Sequence, residues 1–245
     1  MGEGGNKNSV AVHERRDGWT DEAAERWVGA AYHQWYPPES DVEQAAIFTS
    51  TDRGATWKLL SSVKAGKRLK EVAKNEEMDT ETSHRVSEGH DLTEANTAVL
   101  HNGRWVMMAR PEGDICWSDN QGRSWTEPVA FGMRMFAPSL YVLHDGTIVC
   151  LHGSYDPGFW GLRVIFSSDG GHTWFAPAKG HGFLVSNCYG YAKAMELPDG
   201  SLFITDQETG GHRTHEAQNM SIRCLRLTIR ADHSGIDLLP ISVRR

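Results

Sequence analysis

The chain has 245 residues, of which 39% are hydrophobic and 23% charged, and a formal net charge of −7. That make-up is globular, and the length suits one large all-β domain. The acidic balance argues against nucleic acid or an anionic membrane surface as the main target, and no apolar stretch reaches membrane-spanning length.

Residues 1–9 are polar and glycine-rich, lack the apolar core of a secretory leader, and read as a flexible start. A strand is expected over Arg26–Tyr36, then a Pro37-Pro38 loop, then the apolar run Ala45-Ala46-Ile47-Phe48. That run leads into Ser50-Thr51-Asp52-Arg53-Gly54-Ala55-Thr56-Trp57. Ser118-Asp119-Asn120-Gln121-Gly122-Arg123-Ser124-Trp125 repeats its frame, and Ser167-Ser168-Asp169-Gly170-Gly171-His172-Thr173-Trp174 repeats it again. Each copy follows an apolar run, so each reads as a turn closing a strand. Short Ser, Asp and Asn side chains bond their own backbone, Gly takes a positive φ, and Trp anchors the turn.

Residues 63–90 interrupt the rhythm. Their charged stretch Lys64–Glu77 reads as a surface helix or a loop. Beyond it, strand candidates flank His101-Asn102-Gly103, Asp145-Gly146 and Pro198-Asp199-Gly200, which are strong hairpin signals. Four similar units result, over residues 10–62, 94–131, 137–178 and 189–230. Four-stranded units of this length are propeller blades. Cys116, Cys150, Cys188 and Cys224 lie far apart, mostly in apolar runs, and read as buried free thiols; no metal-ligand spacing or cofactor motif is present. The histidines, His101, His144, His152 and His181 among them, read mainly as loop residues.

Glu94 opens the first strand of a hairpin whose turn is Asn102-Gly103, and Arg110 closes its second strand. An antiparallel pair puts the two at one open end, an acid beside a guanidinium. Tyr191 opens the corresponding strand of the last unit.

The three frames resemble the Asp boxes of the sialidase (neuraminidase) superfamily, which implies a sialidase-like β-propeller whose parent fold has six blades. The segment from Glu94 to Arg110 is similar to the sialidase segment Glu-Asn-x-Thr-Val-x-Leu-x-Asp-Gly-Arg that ends in Asn-x-Arg, including the spacing of sixteen residues. Tyr191-Ala192-Lys193-Ala194-Met195-Glu196-Leu197-Pro198-Asp199-Gly200 is similar to the strand that begins with the family's nucleophilic tyrosine. The resemblance implies a retaining exo-sialidase with Tyr191 as nucleophile, Glu94 as its base, and Arg110 and Arg163 as clamps on the sugar carboxylate, Arg134 being the fallback for Arg163. It also implies a sialylated or other acidic glycan as partner.

A tyrosine suits this chemistry. It is neutral beside the substrate's own carboxylate, but a phenol titrating near ~10 needs a base. Guanidinium groups grip a carboxylate bidentately. In this registration the family's first two blades, with its acid and leading arginine, are absent. Either Asp41 and Arg15 or Arg16 substitute for them, or the chain is an N-terminally shortened portion; a four-blade arc is expected to self-associate through its open blade edges. The family is often secreted or periplasmic. Asp boxes themselves are structural, so a non-catalytic propeller binding a glycan or a protein, and a related hydrolase or lyase for another acidic sugar, stay open.

Overall fold

The computed structural model describes residues 27–34, 43–64, 92–130, 133–154, 158–176, 181–187, 190–207 and 222–241. The start expected to be flexible, Arg15, Arg16, Asp41 and nearly all of the charged stretch after Lys64 lie outside them. The fold is all-β, with fifteen strands and no helix among the described residues. Two compact units divide the chain, residues 1–132 and 133–245.

In the first unit, β1 (Trp27–Gln34), β2 (Glu43–Ser50) and β3 (Lys58–Val63) form one antiparallel sheet. The second sheet is β4 (Thr93–Val99), β5 (Trp105–Arg110), β6 (Asp114–Ser118) and β7 (Val129–Ala130). Ala45, Ile47, Val63, Ala95, Trp105, Met107 and Cys116 pack into one buried cluster between them.

In the second unit, β8 (Phe136–Val142), β9 (Ile148–Ser154), β10 (Gly161–Ser167) and β11 (Phe183–Ser186) form the third sheet. The fourth is β12 (Gly190–Glu196), β13 (Leu202–Gln207), β14 (Ile222–Ile229) and β15 (Ile236–Leu238). Val149, Leu151, Leu162, Val164, Phe166, Ala192, Leu202, Ile204 and Leu227 form its core. Every residue of β9 and β10 is buried. Two outer strands, β11 and β15, lie beyond the unit ends at 178 and 230 drawn from the sequence. All four sheets are meanders in chain order, the form of a propeller blade.

The three inner hairpins share one turn. Gly103, Gly146 and Gly200 each donate their N–H to a carbonyl three residues back, of Leu100, Leu143 and Leu197, at 2.9 Å. Asn102, Asp145 and Asp199 each accept the N–H two residues on through Oδ1, at 3.0, 2.8 and 3.1 Å. The glycines sit at φ of 82°, 90° and 78°, which only glycine adopts without strain.

The eight-residue frames also share a structure. Ser50, Ser118 and Ser167 accept the N–H four residues on, of Gly54, Gly122 and Gly171, at 2.8–2.9 Å. Oδ1 of Asp52, Asn120 and Asp169 accepts the N–H of Thr56, Ser124 and Thr173 at 2.8–2.9 Å. The indoles of Trp57 and Trp174 reach back to the carbonyls of Gly54 and Gly171 at 3.0 and 2.9 Å, so each tryptophan closes its own turn. Trp125 differs. Its indole donates 3.1 Å to Ser61 on β3, whose hydroxyl donates 2.5 Å to the Gly122 carbonyl, stapling the first two sheets together.

Candidate functional site

The innermost strands β4, β8 and β12 open in the same irregular way. Thr93 pairs with Arg110 and Asn96 with Met108, so Glu94 and Ala95 together face Ala109. In the third sheet Phe136 pairs with Gly153 and Ser139 with Leu151, so two residues face His152. In the fourth Gly190 pairs with Gln207 and Lys193 with Thr205, so two residues face Asp206. Each is a β-bulge. The first bulged residue is left-handed each time: Glu94 at φ 50°, Ala137 at 47° and Tyr191 at 58°. A non-glycine residue there costs roughly 1–2 kcal/mol, and such strain collects at functional positions. The residues singled out as base and nucleophile thus occupy equivalent strained positions in two sheets.

Within the first unit, Glu94 and Arg110 come together. Arg110 Nη1 lies 3.4 Å from Glu94 Oε1, the guanidinium side chain 28% exposed and the carboxylate 12%. This partly buried pair sits at the open end of the β4–β5 hairpin, as an antiparallel register requires.

In the second unit, the Tyr191 ring is 39% exposed and leans on Phe136, with centroids 6.1 Å apart and planes at 53°. Two residues further along β12, the Lys193 ammonium donates 3.2 Å to Ser139 Oγ, which is 2.9 Å from the Tyr141 hydroxyl. Burial lowers the lysine's pKa and raises that of the Tyr141 phenol.

Arg163 stands on β10, the third strand of its sheet, and is 7% exposed. Its Nε donates 2.6 Å to the Phe159 carbonyl and its Nη1 3.0 Å to the Gly182 carbonyl. The guanidinium also lies 5.3 Å above the Phe159 ring, on which His181 stacks at 3.7 Å. Burial lowers its pKa. Two of its donors are therefore taken up by local backbone. Its register partner is His152.

His152 corrects the sequence reading. It is no loop residue but a fully buried member of β9, packed between β8 and β10. Nδ1 is 3.1 Å from the Gly153 carbonyl, and Nε2 has no hydrogen-bond partner among the described residues. Burial first, then the charges of Arg163 and His181, push its pKa down to about 4.

Sequence reasoning missed Asp206. It is 2% exposed and takes the Ser186 hydroxyl on Oδ2 at 2.7 Å and the Gln207 N–H on Oδ1 at 2.8 Å. The signal was there: Ala109, His152 and Asp206 each follow the bulged residue by fifteen positions, across an Asn-Gly or Asp-Gly turn. Among the described cysteines, none is in a disulfide: Cys116 and Cys150 are buried and Cys224 is exposed. No group of His, Cys, Asp or Glu among the described residues is placed to hold a metal ion.

No family model and no curated protein matches the chain. Solved structures do. A β-1,3-galactosidase of glycoside hydrolase family 43, solved with galactodeoxynojirimycin, is similar at a TM-score of 0.55 and 12% identity, over 87% of this chain and 71% of its own. An endo-1,5-α-L-arabinanase from Thermotoga petrophila is similar at 0.52 and 15% identity, over 91% and 58%. The K499G mutant of the NanB sialidase from Streptococcus pneumoniae is similar at 0.52 and 16% identity, over 80% and 28%. The chain thus spans less than two thirds of the arabinanase and little over a quarter of the sialidase. The likeness shows the fold: a β-propeller of the kind these glycosidases have, with four blade-like sheets among the described residues.

Proposed function

We propose that this chain is a sialidase-like glycosidase that removes terminal sialic acid from glycoconjugates with retention. Tyr191 is the nucleophile, Glu94 its base, and Arg110 and Arg163 bind the sugar carboxylate. The observation that supports this reading most is the Glu94–Arg110 pair, 3.4 Å apart on a left-handed bulge whose counterpart in the last sheet is Tyr191. Glu94 takes the phenol proton as the phenolate oxygen forms a bond to the anomeric carbon and the bond to the leaving oxygen breaks. The departing oxygen takes its proton from solvent; water then displaces the tyrosine, giving up a proton to solvent, while the tyrosine recovers its own from Glu94. Arg110 holds the substrate carboxylate from its place beside Glu94. Arg163 enters by its place in the sequence, since its Nε and Nη1 already serve backbone carbonyls.

The test uses an aryl sialoside, whose good leaving group departs without help from a protein acid. Tyr191→Phe is expected to lose turnover entirely while keeping its circular dichroism and urea midpoint. Unchanged turnover ends the reading. The galactosidase and the arabinanase among the similar structures favour a second one, a propeller glycosidase for a different sugar. Hydrolysis of an aryl galactoside or arabinoside, with the sialoside untouched, would select it. Binding of sialic acid without hydrolysis of any glycoside would select the non-catalytic propeller.

A further inference from the structure

The equivalence of the three bulges carries a consequence for the residue paired with each opening. Thr93–Arg110, Phe136–Gly153 and Gly190–Gln207 are the same register pair in three sheets. In the second sheet the residue at this place, Arg110, reaches the bulged Glu94. In the third the place is empty of side chain, because a Cβ on Gly153 would meet the Phe136 ring at 2.0 Å. That ring is the one against Tyr191. In the fourth sheet the place belongs to Gln207, sixteen residues after Tyr191 as Arg110 is sixteen after Glu94.

We infer that Gln207 is a specificity-determining residue beside Tyr191, its side-chain amide reading a neutral hydrogen-bonding substituent of the sugar, a hydroxyl or an N-acyl group. The inference rests on the glycosidase reading of Tyr191. A primary amide offers two donors and an acceptor without charge, so it selects for groups that both give and take hydrogen bonds. Arg110, at the same register, selects for negative charge instead. The backbone of Gln207 is held for the task. Its N–H is bound at 2.8 Å by Asp206, whose other oxygen is tied at 2.7 Å to Ser186 on β11. Arg223 stands 4.0 Å from the same carboxylate. This anchoring fixes the end of β13 where Tyr191 opens β12.

The experiment is a calorimetric titration of the whole chain with N-acetylneuraminic acid at pH 7 and at pH 4.5, for wild type, Gln207→Leu and Gln207→Glu. Gln207→Leu is expected to weaken binding about tenfold at both values, the loss of one good hydrogen bond. Gln207→Glu is expected to weaken it at least as much at pH 7, where it is an anion facing an anionic sugar. It should recover relative to wild type at pH 4.5, near the ordinary glutamate pKa of ~4.3, where the neutral acid again both donates and accepts. A merely structural Gln207 would show no such recovery. If wild type binds and both variants bind equally well, the assignment falls, and turnover of the aryl sialoside decides the glycosidase reading separately. If wild type binds no sialic acid, both fall together. Should Gln207→Leu fail to fold, the pH response of Gln207→Glu decides alone.

Discussion

The eight-residue frames and the opening bulges each occur three times, and they are specified in opposite ways. In a frame the side chains build the turn. Ser167, Asp169 and Thr173 bond one another and the intervening N–H groups over four residues, so changing the residue changes the structure. In a bulge the backbone is the same while the side chain is Glu94, Ala137 or Tyr191. No common side-chain bond makes that conformation. It follows from two residues facing one across the ladder and from what packs behind. Chemistry can therefore differ from blade to blade at the bulge without loss of the fold, whereas a frame has little to vary.

The comparison breaks if the bulges do not depend on packing. The largest effect is expected from Gly153→Ala, which touches no frame. Its Cβ would stand 2.0 Å from Phe136 Cζ, and Phe136 is 1% exposed with little room to move. Overpacking of this kind costs about 3 kcal/mol, and the displaced ring would also leave Tyr191. A lowered urea midpoint, together with a change in tyrosine fluorescence, is the expected outcome. A midpoint within error of wild type would mean that the third bulge is not held by its packing.

The next effect depends on pH and comes from His152, behind the same bulge. Its folded pKa of about 4 lies below the ordinary 6.5, so between these values the unfolded chain binds the proton and the folded one does not. Its contribution is thus fully present above pH 6.5 and lost as pH falls through the window to 4, by roughly 3 kcal/mol in all. Urea unfolding from pH 7 to 4.5 should show this decline, and His152→Gln should flatten it. The aspartates of the first and third frames titrate lower. Their hydrogen bonds hold Asp52 and Asp169 at about 2, so neither contributes to a loss that begins near pH 6.

These differences explain what the sequence could disclose. The frames and hairpin turns were legible because their bonds span two to four residues and rest on Ser, Asp, Asn and Gly at fixed spacing. The pairing of Glu94 with Arg110 followed from one turn and one register. The left-handed backbone of Glu94, Ala137 and Tyr191 was not legible, because a bulge depends on the facing strand. His152 reads as a polar residue between Leu151 and Gly153. Only β8 on one side and β10 on the other bury it. The carbonyls that take up Arg163 come from Phe159 and Gly182, and the latter lies nineteen residues away. Trp125 could not be told from Trp57 and Trp174 by its frame, since Ser61, the partner that sets it apart, sits in another sheet.

The smallest effect sharpens the frame side. The second frame carries Asn120 where the others carry aspartate, and its geometry is nearly unchanged: Oδ1 still accepts from Ser124 N at 2.9 Å, while Nδ2 donates to Ser124 Oγ at 2.7 Å. The turn needs an acceptor of this shape, and the charge is secondary. Asp169→Asn should therefore shift the urea midpoint very little. Asp169→Ala removes the acceptor for Thr173 N, Thr173 Oγ1 and Ser167 Oγ, partly exposed bonds worth together about 2 kcal/mol. Because the frame lies beyond the inner strands, neither substitution should alter sugar binding at the bulges. Equal losses for Asn and Ala would mean that the charge holds the turn after all, and Asn120 would then need a support of its own in the Trp125–Ser61 staple.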